Sequence, residues 1–369
     1  AYLRNFRPQT STCKMKLRLL PLPLVLLALV LGIVGGWIRL GWQIDLLSSS
    51  YLHGLLMTGG FLGTLITLER TVSMPSTWWR AFPTISAFST ILFLAGNKQV
   101  GIAALMVGNV GLLAVYIIQM AKHKDAYWYM LLAGGTCWLL GNIVLLKVGL
   151  IASATTWWIA FIFLTIVGER LELTRYLNVP KWAKGILWAM VVLLIIGVAM
   201  PFHATNGQQL MGAASVGAAL WLMRYDMARI GVRKEGFHRY VAVGLLVGYG
   251  WLLLHGLSVF LIPDHPLFYD FFLHTFFLGF AFSMIWAHAP IIFPAILKNT
   301  QRPYHPILWV FWALFQITLI GRMVFAWMEN IEMRKLLGGA NGVIILLMFA
   351  TMAITMIYRL RIAVKPAKN

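Results

Sequence analysis

Apolar stretches of membrane-crossing length succeed one another along the chain with only short polar segments between them. A helix needs roughly 20 apolar residues to cross a hydrocarbon core of about 30 Å. Against that length the sequence offers candidate spans at 19–43, 48–69, 80–97, 100–121, 126–147, 153–174, 182–202, 207–224, 238–262, 267–297, 304–328 and 338–359. Hydrophobic residues make up 60% of the 369-residue chain and charged residues 11%, far from the globular average. The expected fold is an all-α polytopic membrane protein of about 12 transmembrane helices, one integral membrane domain over 19–359. A basic tail, 1–18, precedes it and a short tail, 360–369, follows. Pro21 and Pro23 in the first span, and the spans that follow it directly, make it an uncleaved helix rather than a signal peptide. No interval between spans is long enough to fold as a soluble domain.

Cytoplasmic segments keep an excess of lysine and arginine. With the N-terminal tail inside, every lysine and arginine falls in a cytoplasmic segment except Arg39, Lys98, Lys147, Arg322, Arg334 and Lys335. Both termini are therefore expected in the cytoplasm. The net charge of +19 then follows from topology and implies attraction to anionic lipid head groups, not to nucleic acid. Cys13 and Cys137 fit no CxxC, CxxCH or zinc spacing. No P-loop, GxGxxG site, HExxH helix or nucleophile elbow occurs in a workable context.

The second span, "YLHGLLMTGGFLGTLITLER", carries His53 at its outer end and Glu69-Arg70 at its inner end. The charge pair recurs in the sixth span as Glu169-Arg170 ("TIVGERLELTR"). Adjacent residues on a helix do not face each other, so each glutamate is expected to meet an arginine of a neighbouring helix. Interfacial anchoring is the plain reading of these charges, and a proton or substrate route is the alternative. The tenth span again opens on a histidine, His274, and spans 1, 5 and 9 share a loose Gly/Trp motif ("GGWIRLG", "GGTCWLLGN", "GYGWLLLHG"). Three four-helix pseudo-repeats of parallel orientation, about 19–121, 126–224 and 238–359, account for this spacing.

Nine histidines are sorted by topology. His123, His238 and His305 belong to cytoplasmic loops, and His203 and His265 to outer ones. His53, His255, His274 and His288 lie within spans, where an imidazole is costly without a partner. His53 and His274 occupy equivalent places on two inward-running helices. Helical steps of +4, +7, +11 and +14 from them reach Met57, Gly60, Thr64 and Thr67 in one helix and Leu278, Ala281, Ile285 and His288 in the other. Two imidazoles from separate helices, with small residues such as Gly60 leaving room for a flat ring, meet the requirement for axial ligation of haem iron. The alternative is that the glycine-rich faces pack helices and the histidines hydrogen-bond to neighbours.

A histidine in span 2 and another in span 10, on twelve spans in three copies, resembles the catalytic subunit of haem–copper oxidases and nitric oxide reductases. "PDHPLFYDFFLH", with Asp264 and Asp270, is loosely similar to that family's segment beside the haem propionates. The sequence lacks the family's paired His-x-His in span 10 and has no histidine in spans 6 or 7, so copper in the usual binuclear form is not expected. "HGLLMTGGFLGTLITLER" and "HTFFLGFAFSMIWAHAP" are also similar to the NnrS family of twelve-span haem proteins linked to nitric oxide metabolism. The resemblance implies a b-type haem protein of the bacterial inner membrane, an oxidoreductase component. It would exchange electrons with a quinone or with a periplasmic or membrane redox subunit, or act on a diatomic gas such as nitric oxide.

His288 lies fourteen residues past His274, about 21 Å deeper, too far to share one iron. It is a candidate ligand for a second haem, or a partner for carbonyls freed by the prolines of "AHAPIIFPAIL". His255 is a further candidate ligand, or a group that orients one. Arg39, near the outer end of span 1, is the expected partner of a haem propionate, with snorkelling as the alternative. Arg322 shares that reading. A haem-free transporter or channel, and an accessory subunit of a larger membrane complex, are the competing functions.

Overall fold

The computed structural model describes residues 20–202, 206–297 and 301–364. The basic tail expected at 1–18, His203 and residues 365–369 of the expected C-terminal tail lie outside the described residues. Among the described residues there are helices and turns and no strand. With no water inside a bilayer, the backbone must satisfy its own polar groups, and a helix does so within one segment.

A helix stands at each expected span: α1 (Pro21–Arg39), α2 (47–72), α3 (Ala81–Leu94), α4 (Lys98–His123), α5 (Tyr127–Val148), α6 (Ile151–Leu173), α7 (Lys181–Ala199), α8 (Gly207–Tyr225), α9 (Gly236–Leu261), α10 (268–297), α11 (Leu308–Trp327) and α12 (Ile331–Val364). Among the described residues, ten are long and apolar enough to cross a membrane by length and composition. The two that are not are α3, only 14 residues long, and α8, whose glutamines, glycines and alanines dilute its hydropathy. Aliphatic side chains face outward along the bundle, Val192, Ile317 and Ile354 among them, each more than half exposed. Lipid rather than water covers such a surface, and the chain is an integral, polytopic helical membrane protein.

The helices are not equally deep. The spans of α2, α6 and α10 are 61%, 67% and 67% buried, and no other span exceeds 56%. These three touch the same central region: α10 packs on α2, α6 and α9, while α1 closes against α2, α3 and α12. Close approach is made by glycines beneath aromatic rings. Gly63 of α2 lies under Trp138, which is fully buried and stacked on Phe161 at 4.8 Å, and Gly279 of α10 lies under Trp251.

Two departures from the sequence reading matter for the site. α12 begins at Ile331, seven residues before its expected start, and continues to Val364. The charged residues Glu332, Arg334 and Lys335 fall outside the expected span, but the helix already includes them, and its Gly338, Gly339 and Gly342 form the face that receives Leu40, Trp42 and Trp37. The helix thereby carries Arg334 inward. Second, α2 and α10 each change from α- to π-helix just past their outer histidines, over Leu55–Gly63 and Thr275–Phe282. Such i→i+5 segments are rare and cluster at functional sites.

Hydroxyls sit where the backbone pattern changes. Thr58 donates to the Gly54 carbonyl, Thr64 to Gly59, Thr67 to Gly63, and Thr275 to Phe271 and Phe272.

Gly63→Ala places a methyl group against Trp138 ring carbons, far inside van der Waals contact, beneath an indole that is fully buried and stacked on Phe161. We expect a loss of about 1–3 kcal/mol, the range for overpacking. Gly185→Ala, which meets nothing within 4 Å on α7, should be neutral or slightly stabilising. Thermal unfolding of the solubilised protein distinguishes the two.

Candidate functional site

A cavity of about 350 Å³ opens between α1, α2, α6, α10, α11 and α12. That volume lies within the range of ligand sites, about 300–1,000 Å³. His53, His274 and Arg39 all line it. So do Asp270, Arg322 and Arg334, against walls that include Leu62, Phe277 and Ile345.

Each histidine is held by one ring nitrogen. His53 Nδ1 lies 2.6 Å from the Gly32 carbonyl of α1, and Gly36 leaves space for the ring, which lies about 3.1 Å from where a Cβ would stand. His274 Nδ1 donates to the Asp270 carbonyl at 2.8 Å, with the Asp270 carboxylate 3.0 Å from the same nitrogen. A carbonyl only accepts, so Nδ1 carries a proton in both rings, and in a neutral imidazole Nε2 then keeps its lone pair. Metal-binding imidazoles are typically oriented in this way, one nitrogen donating to a carbonyl or carboxylate and the other left for the metal. No hydrogen bond to either Nε2 occurs among the described residues.

The cavity has a charge imbalance. Asp270 meets Arg322 Nη2 at 3.2 Å and Arg334 Nε at 3.2 Å, so one carboxylate stands against two guanidiniums from α11 and α12. Arg39, exposed at the end of α1, makes no ion pair among the described residues. Three arginines and one aspartate therefore line a space that suits an anionic group.

The remaining sites anticipated from sequence lie elsewhere. Gly60 packs between Ala28 and Thr90, off the cavity, because a step of seven residues from His53 follows an α period that the π segment does not keep. Met57, Thr58 and Leu62 occupy that face instead. His255 is fully buried, but its Nδ1 meets the Phe272 carbonyl at 2.9 Å and its ring lies 4.2 Å from that of Phe272. It therefore pins α10 at the junction where the π segment begins, two residues before His274. Its Nε2 has no hydrogen-bond partner among the described residues. His288 has both nitrogens engaged: Arg170 Nη2 donates to Nε2 at 2.7 Å, and Nδ1 donates to the Met284 carbonyl at 2.8 Å. That carbonyl is not one freed by Pro290 or Pro294. Arg70 pairs with Glu169 across α2 and α6, joining the two recurrent charge motifs, whereas Glu69 meets no arginine of a neighbouring helix among the described residues, and Arg170 takes His288 instead. His265 lies outside the cavity, bonded through Nε2 to the Trp327 carbonyl at 3.0 Å.

Asp270 and Arg334 complete the cavity and were not anticipated as a pair. The spacing Asp270–His274 is i,i+4 on a helix, a signal legible in "YDFFLH". Arg334 lies at the start of α12, where the Asn330 side chain accepts the Met333 N–H at 3.0 Å, a local helix-start signal, but nothing local shows that the helix brings Arg334 to Asp270.

With this geometry in view, the comparisons with known proteins assign the chain. It belongs to the family described as a domain of unknown function (DUF8744), whose model matches residues 18–358. No curated protein and no solved structure matches it. The family match spans every residue of the cavity, from Ile33 to Ile345. Among the described residues no group of three or more His, Cys, Asp or Glu could hold a metal ion by itself. Haem is a different case, since the macrocycle supplies the equatorial ligands and the protein only the axial ones.

Asp270→Ala leaves two nearly buried guanidiniums without a carboxylate. We expect it to destabilise the protein by about 3–5 kcal/mol, the usual cost of removing one partner of a buried pair. Asp270→Asn keeps an acceptor and should cost less. Unfolding of the solubilised variants, compared with wild type, measures both.

Proposed function

We propose that the chain is a membrane b-type haem protein whose iron is held axially by His53 and His274. The observation that carries this reading is that two imidazoles from α2 and α10 line one cavity, each with Nδ1 engaged and Nε2 unoccupied by any hydrogen bond. The lining fits the group in three further respects. Its walls are largely apolar, as a porphyrin face requires. Arg39, Arg322 and Arg334 offer partners for carboxylates of the macrocycle. The α-to-π change follows each histidine within two residues on equivalent helices.

Bound there, haem supplies one-electron chemistry or a site for a diatomic ligand. With both histidines bound to iron, electron transfer between a quinone or redox subunit and the outer face is favoured, and with only one, nitric oxide or a similar gas has access. In either case the chain is a component of an oxidoreductase. Asp270 makes His274 the more electron-rich of the two rings, and the Gly32 carbonyl only orients His53. No second haem is assigned to His255 or His288, since neither lines the cavity.

The deep placement of α2, α6 and α10, one from each four-helix copy, supports a twelve-span arrangement in three pseudo-repeats. The concentration of lysine and arginine supports cytoplasmic termini, in a bacterial inner membrane. NnrS-like and haem–copper-like proteins remain the resemblance that this reading extends. A haem-free anion route is the second reading, favoured by the excess of arginine over aspartate in the cavity.

An absorption spectrum of the purified, dithionite-reduced protein separates the two. We expect a Soret band and split visible bands of a six-coordinate b haem, lost or shifted to a five-coordinate form in His53→Ala and in His274→Ala. A protein from haem-sufficient cells with no Soret band overturns the haem reading, and an unchanged spectrum in both variants overturns the ligand assignment.

A further inference from the structure

At the other end of the bundle from the haem cavity, a second cavity of about 510 Å³ lies among the α6–α7 loop, the start of α7 and the segment joining α8 to α9. Three arginines line it, Arg224, Arg229 and Arg233. None is ion-paired among the described residues. Asp226, the carboxylate on the same wall, is 2% exposed and already committed: its Oδ1 accepts the Ala228 N–H at 2.7 Å, and it faces Arg170. Burial raises the Asp226 pKa.

Two of the arginines are held in place. Arg229 Nη1 donates to the Arg224 carbonyl at 2.7 Å, and the Arg224 guanidinium lies 5.1 Å over the Tyr225 ring. α7 starts at the same cavity after Pro180 with no side-chain cap, so its first amides and the positive end of its dipole add to the field. Unpaired guanidiniums lining one cavity suit an anion with several acceptor edges. A tetrahedral phosphate provides them, whereas a single carboxylate presents only two oxygens.

We propose that this cavity binds a phosphate-bearing anion, and that its ordinary source is the head group of an anionic phospholipid. Trp182, 63% exposed, and Ile230, 50% exposed, rim the cavity beside the charges. Such an aromatic residue marks the level of the membrane–water interface. Ile186, Val192 and Ile196 continue outward along α7 and offer a track for acyl chains. The head group would then tie α7 to α8 where the chain between α8 and α9 has only a single turn of helix, Ala228–Gly231.

The test uses the full chain, purified and reconstituted into nanodiscs of phosphatidylcholine with or without phosphatidylglycerol. Lipid retention is read by native mass spectrometry, and binding of inorganic phosphate by calorimetry. Wild type should retain phosphatidylglycerol over phosphatidylcholine, and Arg224→Gln/Arg229→Gln/Arg233→Gln should lose that preference by about tenfold or more. The substituted side chains are exposed, and an unchanged unfolding temperature shows that the variant is folded. Arginine-dependent phosphate binding without lipid preference supports the site with solution as its source. Equal retention of both lipids and no phosphate binding by wild type overturns the proposal. So does an equal loss in Lys181→Gln/Lys184→Gln, which removes charge from the same face but not from the cavity.

Discussion

A carbonyl in the hydrocarbon interior has no water to accept from, and the architecture follows from that restriction. It makes helices of the apolar stretches, and it decides what happens where a helix departs from the α pattern. In α2 and α10 the departure comes just past the outer histidines, and side chains supply the bonds that the pattern change unsettles. Thr58, Thr64 and Thr67 do so in α2, and Thr275 and His255 in α10. His255 is thus explained by the backbone it supports, and the same restriction places a second imidazole, His53, on a carbonyl of α1.

Asp270 is the electrostatic counterpart. One carboxylate from α10 gathers His274 on its own helix, Arg322 on α11 and Arg334 on α12. Charges in so apolar an environment are retained only when paired, and here the pairing draws three helices around the cavity. It leaves the cavity cationic, because Arg39 adds a third guanidinium without a carboxylate. At the opposite end the charges do a different task. Arg70 with Glu169 and Arg170 with His288 bind α2, α6 and α10 to one another at that end. This agrees with an anchoring role for the recurrent Glu-Arg motifs, and it gives His288 a partner that does not depend on a metal.

The sequence was informative about the site where the signal was local. His53, His274 and Arg39 are each legible as costly groups inside apolar segments, and all three reach one cavity. Gly60 was misplaced by assuming 3.6 residues per turn throughout α2. Hydropathy leaves Arg334 outside a span because Glu332 and Lys335 stand beside it, although Asn330 caps a helix that begins there.

Hydropathy and charge by themselves determined that this chain is an integral membrane bundle, where its helices fall, and which imidazoles are buried at a cost. Those are consequences of transfer from water to lipid, which each segment experiences independently of the others. Only the tertiary structure decided which nitrogen of each histidine is engaged, that one aspartate meets two arginines, and that α2 and α10 change to π-helix beside the cavity. Apart from the i,i+4 contact of His274 with Asp270, these depend on groups of different helices, up to 64 residues apart in the chain, meeting within hydrogen-bond distance, and no local pattern records such a meeting.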